Sequence, residues 1–239
     1  VVGALRGLSF GDRETVVRVN PLEGEWGPAD LDAVVPAQPD GICLPKVERA
    51  DEVRDAAEAI RKIEAACGFP EHGIRLHAMI ESASGVLRAA EIASASPRME
   101  SLIFGSADYA ADVRCRPGED RAEMLLALQM IVLAARSAGI DAVDAPCFDI
   151  RNPDRLARES AQARRLGFTG KSALHPDQLA VIHRIFDPTP EEIAWAERTI
   201  LELDRAENMG KALTTVDGTL IDNPHRIAAE RILRGKKQA

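Results

Sequence analysis

IRLHAMIESASGVLRAAEIASASPRMESLIFGSADYAADV, residues 74–113, places two short apolar runs, IRLHAMIE (74–81) and SLIFGS (101–106), each ahead of a stretch with helical spacing. An apolar run followed by helical periodicity, then repeated, is the signature of a βα unit. The same alternation extends outward to TVVRVN (15–20) and GICLPKV (41–47) on one side, and to IDAVDAPC (140–147) and TGKSALH (169–175) on the other. Most of these six runs lack strict apolar/polar alternation, which predicts strands covered on both faces, as in a parallel sheet with helices outside.

Helix punctuation agrees. In the segment 150–168, Asn152 is placed to cap a helix, Pro153 suits its first position, and Gly167 follows a basic last turn. Residues 121–137 read as an apolar helix stopped by Gly139, and Thr189-Pro190-Glu191-Glu192 has capping-box spacing at the start of a helix through about Met209. TTVDGTLIDNP (214–224) predicts a loop or short hairpin, followed by an amphipathic helix over about 225–233. The expected organisation is a (β/α) barrel over residues 1–187 and a C-terminal helical arm or lid over 188–239. A closed TIM-type barrel has eight strands. Six units therefore predict a (β/α)8 barrel that lacks its first two strands in this chain. An open doubly wound sheet is the rival, but it predicts a glycine-rich phosphate loop after a strand, and no GxGxxG or Walker sequence occurs.

Composition narrows the function. Hydrophobic residues make up 46% and charged residues 28%, the balance of a soluble globular protein, and no apolar run is long enough to predict a membrane span. A formal charge of −8 argues against a nucleic-acid partner, which would need concentrated Lys and Arg. Cys43, Cys67, Cys115 and Cys147 form no CxxC pair, so neither a disulfide framework nor structural zinc is expected; a reducing cytoplasm fits.

In a βα barrel the chemistry sits at the C-terminal ends of the strands. Polar residues there are Arg18, Asn20, Lys46, Glu48, Glu81, Ser106, Asp108, Asp144, Asp149, Lys171 and His175. Glu81 and Asp108 end successive strands, which puts two carboxylates on one rim. Two hard oxygen donors suit Mg²⁺, which keeps water or substrate oxygens on its other positions. The plainer reading is that each acid caps the helix that follows. Arg18 lies in a strand expected to be buried, so its guanidinium needs an anion: a substrate carboxylate, or an internal partner such as Asp144 or Asp40. Lys46 could form a Schiff base or sit buried against Glu48 or Glu81, and His175 before Pro176 reads as a helix cap.

The segments VVRVNP, GICLPKVE, MIESASGVLRAAEIA, FGSADYAADV, GFTGKSALHPDQL and LIDNP together resemble the HpcH/HpaI aldolase and citrate lyase β-subunit family, which includes malyl-CoA, citramalyl-CoA and citryl-CoA lyases. The resemblance covers nearly the whole chain. It implies that Glu81 and Asp108 bind Mg²⁺, that Arg18 grips the carboxylate of the oxo-acid half, and that Asp222 in LIDNP is a catalytic acid/base on an arm closing over a neighbouring subunit. The implied reaction joins or splits an acyl-CoA thioester and a 2-oxo acid, in a homotrimer or hexamer. For Asp222 the local reading is a turn-holding residue before Asn-Pro. Family members open with a strand like LFVPG and a second ending in a DLED-type sequence, and neither occurs here. A class II aldolase acting on free 2-oxo acids and a non-catalytic lyase-like subunit are the rival readings.

Overall fold

The computed structural model describes residues 1–70 and 73–236. Its strands are β1 (Val16–Arg18), β2 (Gly41–Leu44), β3 (Arg75–Ile80), β4 (Met99–Phe104), β5 (Asp141–Asp144), β6 (Gly170–Lys171), β7 (Thr214–Val216) and β8 (Thr219–Ile221). The α-helices are α1 (Val2–Gly7), α2 (Gly27–Val34), α3 (Ala50–Cys67), α4 (Ala83–Leu87), α5 (Ala89–Ala93), α6 (Ser106–Val113), α7 (Leu125–Ala138), α8 (Pro153–Leu166), α9 (Leu179–Phe186), α10 (Pro190–Asn208) and α11 (Asn223–Lys236). The chain forms two compact units, Val1–Leu179 and Ala180–Ala239.

In the first unit all six predicted strands form one parallel sheet in the order β1-β2-β3-β4-β5-β6. That order decides between the two candidate folds. A doubly wound sheet reverses its strand order at a switch point. Here the order never reverses, and right-handed crossovers between successive strands then place the connecting helices on the same face. The sheet is a partial TIM-type barrel.

Side-chain parity shows both faces. Ile42, Leu76, Ala78, Ile80, Leu102, Phe104 and Ala142 alternate along the strands on the helix-covered face, and all are fully buried. The opposite face carries Arg18, Cys43, His77, Met79 and Ser101, brought side by side by the registers Arg18↔Cys43, Cys43↔His77 and His77↔Ser101. Cys43 is buried there, which pushes its thiol up to about 12 and leaves it an inert filler. The second face is not closed along its whole length. Arg18 is exposed and β1 is an edge strand with Val16 41% exposed, contrary to the expectation of strands covered on both sides.

Local signals hold where they were read. Asn152 accepts from the Arg155 amide at 3.0 Å, Pro153 opens α8, and Gly167 ends it in the left-handed region. Gly139 does the same for α7, whose first turn is preceded by a short 3-10 turn at Ala122–Met124. His175 caps a 3-10 turn reciprocally with Gln178.

In the second unit, Thr189 and Glu192 form the predicted capping box of α10. The predicted hairpin is present as β7 and β8, with Asp217 and Gly218 both at positive φ, the conformation that a two-residue turn requires. Its Val216 and Ile221 bury against Leu203 of α10, with Trp195 alongside. Arg226 of α11 reaches Asp204 (2.7 Å) and Glu207 (3.1 Å) on α10. Among the described residues no helix is long and apolar enough to cross a membrane.

His77 shows how tightly the sheet interior is built. Its Nδ1 lies 2.8 Å from the Ser101 hydroxyl, while Nε2 is buried without a partner among the described residues and fills the space a side chain on Gly41 would need. Burial lowers the His77 pKa below its ordinary 6.5, against weaker opposing pulls from Glu14 and Glu100. The unfolded chain therefore takes up this proton first, and stability present above 6.5 is lost as the pH falls below it. Urea midpoints measured from about pH 7 to about pH 5 should fall for the native chain and fall less for His77→Gln, which cannot titrate; equal slopes would contradict this account.

Candidate functional site

The rim at the C-terminal ends of β2, β3 and β4 brings Glu81, Asp108 and Lys46 together. Glu81 follows β3 directly and is 6% exposed. It does not cap the next helix: Ser82 does, accepting from the Gly85 amide at 3.1 Å. The carboxylate instead accepts a hydrogen bond from the Lys46 backbone amide at 2.9 Å. That amide is aimed by a left-handed residue, since Lys46 has φ 52°. A non-glycine residue there costs about 1–3 kcal/mol and persists only where its surroundings fix it. The adjoining Val47 amide bonds the Met79 carbonyl at 3.1 Å, pinning the turn against β3.

Gly105 supplies the space. It stands across from Glu81 where β3 and β4 end in register at Ile80↔Phe104, and a Cβ on it would collide with the Glu81 carboxylate. Gly105 is also the residue before α6, and no side chain caps that helix. Asp108 lies in the first turn of α6, where the helix dipole favours an anion. Its side chain is half exposed and meets the Lys46 ammonium at 2.9 Å. The helix-capping alternative therefore fails for Glu81, and for Asp108 only its dipole component remains.

The two carboxylates differ in electrostatics. Burial raises the Glu81 pKa, the Lys46 amide opposes this, and the charge of Asp108 adds to the rise. The hydrogen bond from Lys46 holds Asp108 low, with further help from the Lys46 charge, Glu81 and Arg18. Arg18 is near enough to act on both by its charge, yet its described polar contact is the Met79 sulfur at 4.0 Å. Neither internal partner considered for Arg18 takes it: Asp40 accepts from Thr15, and Asp144 is engaged elsewhere. Lys46 is likewise corrected, being 61% exposed at its side chain and paired with Asp108 rather than buried against Glu48 or Glu81.

Asp144 and Lys171, read from sequence as rim residues, belong to a buried ionic cluster between the sheet and α8. Lys171 Nζ lies 2.7 Å from Asp144 and 3.3 Å from Glu159, and Arg121 donates to both Asp144 oxygens at 2.9 Å. Arg155 completes the set at 2.9 Å from Glu159, whose pKa burial raises but Lys171, Arg155 and Arg121 bring below normal. Parity was the signal available: Asp144 shares its face with Ala142, on the helix side, whereas Glu81 follows His77 and Met79 on the other. Among the remaining rim residues, Asn20 bonds Asp30, the Glu48 amide bonds Glu52, Ser106 opens α6, and Asp149 accepts from Asn152.

Asp222 lies in the second unit between β8 and α11. Its side chain is half exposed, with Oδ1 2.7 Å from His225 Nδ1, and its carbonyl accepts from the His225 and Arg226 amides. The local turn role is thus present, and the carboxylate is open to solvent with a histidine beside it.

No cluster of three or more His, Cys, Asp or Glu side chains suited to a metal occurs among the described residues. Glu81 and Asp108 nevertheless fit a hard divalent cation: two adjacent oxygen donors on an open rim, already drawing the Lys46 ammonium.

Fold and rim together define a βα-barrel protein with a paired-carboxylate site at the ends of its third and fourth strands as numbered here. The family model described as HpcH/HpaI aldolase/citrate lyase matches residues 1–176, and the chain belongs to that family. It is 38% identical over 224 residues to citrate lyase subunit beta of Escherichia coli strain K12, covering 94% of this chain and 74% of that protein. It is 37% identical over 229 residues to a (3S)-malyl-CoA thioesterase of Cereibacter sphaeroides, covering 96% and 76%. Among solved structures, CitE from Mycobacterium tuberculosis in complex with magnesium, acetoacetate and coenzyme A superposes with a TM-score of 0.76 at 27% identity, covering 99% of this chain and 83% of that one.

The buried cluster gives a direct test. Lys171→Met leaves the buried Asp144 and Glu159 short of a counter-charge, and should lower unfolding free energy by about 3–5 kcal/mol in urea titration. A loss below about 1 kcal/mol would place the cluster in contact with solvent.

Proposed function

We propose that this protein is a Mg²⁺-dependent carbon–carbon lyase that splits a 3-hydroxyacyl-CoA thioester, of the malyl-CoA, citramalyl-CoA or citryl-CoA type, into acetyl-CoA and a 2-oxo acid, reversibly. The observation that carries the reading is the carboxylate pair of Glu81 and Asp108 on one barrel rim. Its support from relatives is the magnesium, acetoacetate and coenzyme A held by the CitE structure and the citrate lyase identity of the Escherichia coli protein.

Glu81 and Asp108 would hold Mg²⁺, which supplies Lewis acidity toward substrate oxygens and lowers the cost of developing negative charge. Arg18, exposed and without an ion pair among the described residues, binds the carboxylate of the oxo-acid half. In the cleavage direction the substrate hydroxyl gives its proton to solvent, which supplies one to the Asp222 carboxylate, the bond between the hydroxyl-bearing carbon and the thioester α-carbon breaks, and the electron pair passes into the thioester enolate. Asp222 then delivers a proton to that α-carbon; in condensation it removes one. We place Asp222 on a second copy of the chain, which makes the active form a homo-oligomer, a trimer or hexamer.

A second reading follows from the thioesterase relative: water attack on the thioester carbonyl, releasing CoA and the free hydroxy acid. Products separate the two. With malyl-CoA, citramalyl-CoA and citryl-CoA as substrates, lyase action gives acetyl-CoA and an oxo acid, whereas hydrolysis gives a free thiol. We expect Mg²⁺-dependent acetyl-CoA release, abolished by EDTA and reduced at least about 100-fold in Glu81→Gln. Thiol release without acetyl-CoA would replace the lyase by the hydrolase. Gly105→Ala should act through Glu81: the added methyl displaces the carboxylate, so activity falls at least about tenfold while stability changes by no more than about 1–3 kcal/mol. Unchanged turnover in a folded Gly105→Ala protein would contradict the positioning of Glu81 described above.

A further inference from the structure

Lys46 is built into the site twice, through two different parts of the residue. Its backbone amide, in the left-handed region, holds Glu81 at 2.9 Å, and its ammonium lies 2.9 Å from Asp108. The first contact is fixed by a turn pinned to β3 and belongs to a buried carboxylate. The second is the opposite in kind: the Lys46 and Asp108 side chains are 61% and 50% exposed, and the ammonium sits on a flexible four-carbon stem. An exposed ion pair of this sort contributes little net stability, so it opens at low cost.

Charge explains why the ammonium is there. Two carboxylates, one of them buried, stand together, and Arg18 and Lys46 are the cations that act on both. With both cations in place the formal charges of this group of four sum to zero. A divalent cation bound between Glu81 and Asp108 would make it strongly positive and would compete with the ammonium for the Asp108 oxygen.

We infer that Lys46 is a tethered counter-ion of the carboxylate pair: its ammonium occupies Asp108 when no divalent cation is bound, is displaced when one binds, and is then free to face an anionic substrate oxygen, while its amide keeps Glu81 in place throughout. This rests on the reading that Glu81 and Asp108 hold Mg²⁺. Lys46 is a positioning residue toward Glu81 and a competitor toward the cation, and these two roles can be separated by substitution. Lys46→Met removes the ammonium and leaves the amide. Lys46→Gly also removes it and adopts the left-handed conformation without strain.

The experiment is calorimetric titration of the full chain with MgCl₂ alone, without substrate, on the native protein, Lys46→Met, Lys46→Gly and Glu81→Gln. Loss of the competing ammonium should tighten Mg²⁺ binding by about two- to fivefold in at least one folded Lys46 variant, and Glu81→Gln should abolish it. A merely structural Lys46 would leave the affinity unchanged or weaken it. If the native protein binds Mg²⁺ and neither Lys46 variant binds more tightly, the counter-ion role is overturned and the metal reading stands. If no form binds Mg²⁺, the metal reading falls and this inference with it. Binding by the Lys46 variants where the native protein shows none would support the inference in its strongest form.

Discussion

Glu81 is a carboxylate held in a nearly dry position by one backbone amide and by the absence of a side chain at Gly105. Burying an anion without a full counter-charge is costly. The surrounding features read as ways of meeting that cost: the left-handed Lys46, the register that sets Gly105 opposite, the cap on α4 delegated to Ser82, and the cations Lys46 and Arg18 nearby. The raised pKa of Glu81 shows that the compensation is incomplete. An acid pair in which the burial of one member is only partly offset, at the open end of a barrel, is suited to a cation that arrives from solution, because the final stabilisation is left to the ligand.

The scaffold keeps this charge separate from its own. The second buried ionic cluster, Asp144, Glu159, Lys171, Arg121 and Arg155, is closed on itself between the sheet and α8. Its anions are met by three cations through direct bonds, so it has little to offer a ligand. One strand of the same sheet thus ends in a self-satisfied acid and another in an acid held ready. The difference is which face of the sheet each side chain takes.

Much of this was legible in the sequence. The six strands, the Asn152 and Thr189 caps, the stops at Gly139 and Gly167 and the hairpin at Asp217-Gly218 are local signals, governed by steric and capping preferences of a few adjacent residues. The pairing of Glu81 with Asp108 was legible too, because successive parallel strands must bring their ends to one rim. What escaped depends on close approach between distant segments. Gly105 gives no hint that it exists for a glutamate 24 positions earlier, and the partnership of Asp144 with Arg121 is made across a helix. Exposure of Arg18 follows from the edge position of β1, which composition does not reveal.

In the proposed reading Glu81 and Asp108 share one divalent cation. Mn²⁺, an octahedral oxygen-preferring substitute for Mg²⁺, can be located by its anomalous scattering in crystals grown with it. A single anomalous peak within bonding distance of one oxygen from each carboxylate, with the Lys46 ammonium moved off Asp108, is the predicted result. A peak elsewhere, or none with Lys46 still on Asp108 at saturating Mn²⁺, would contradict the account.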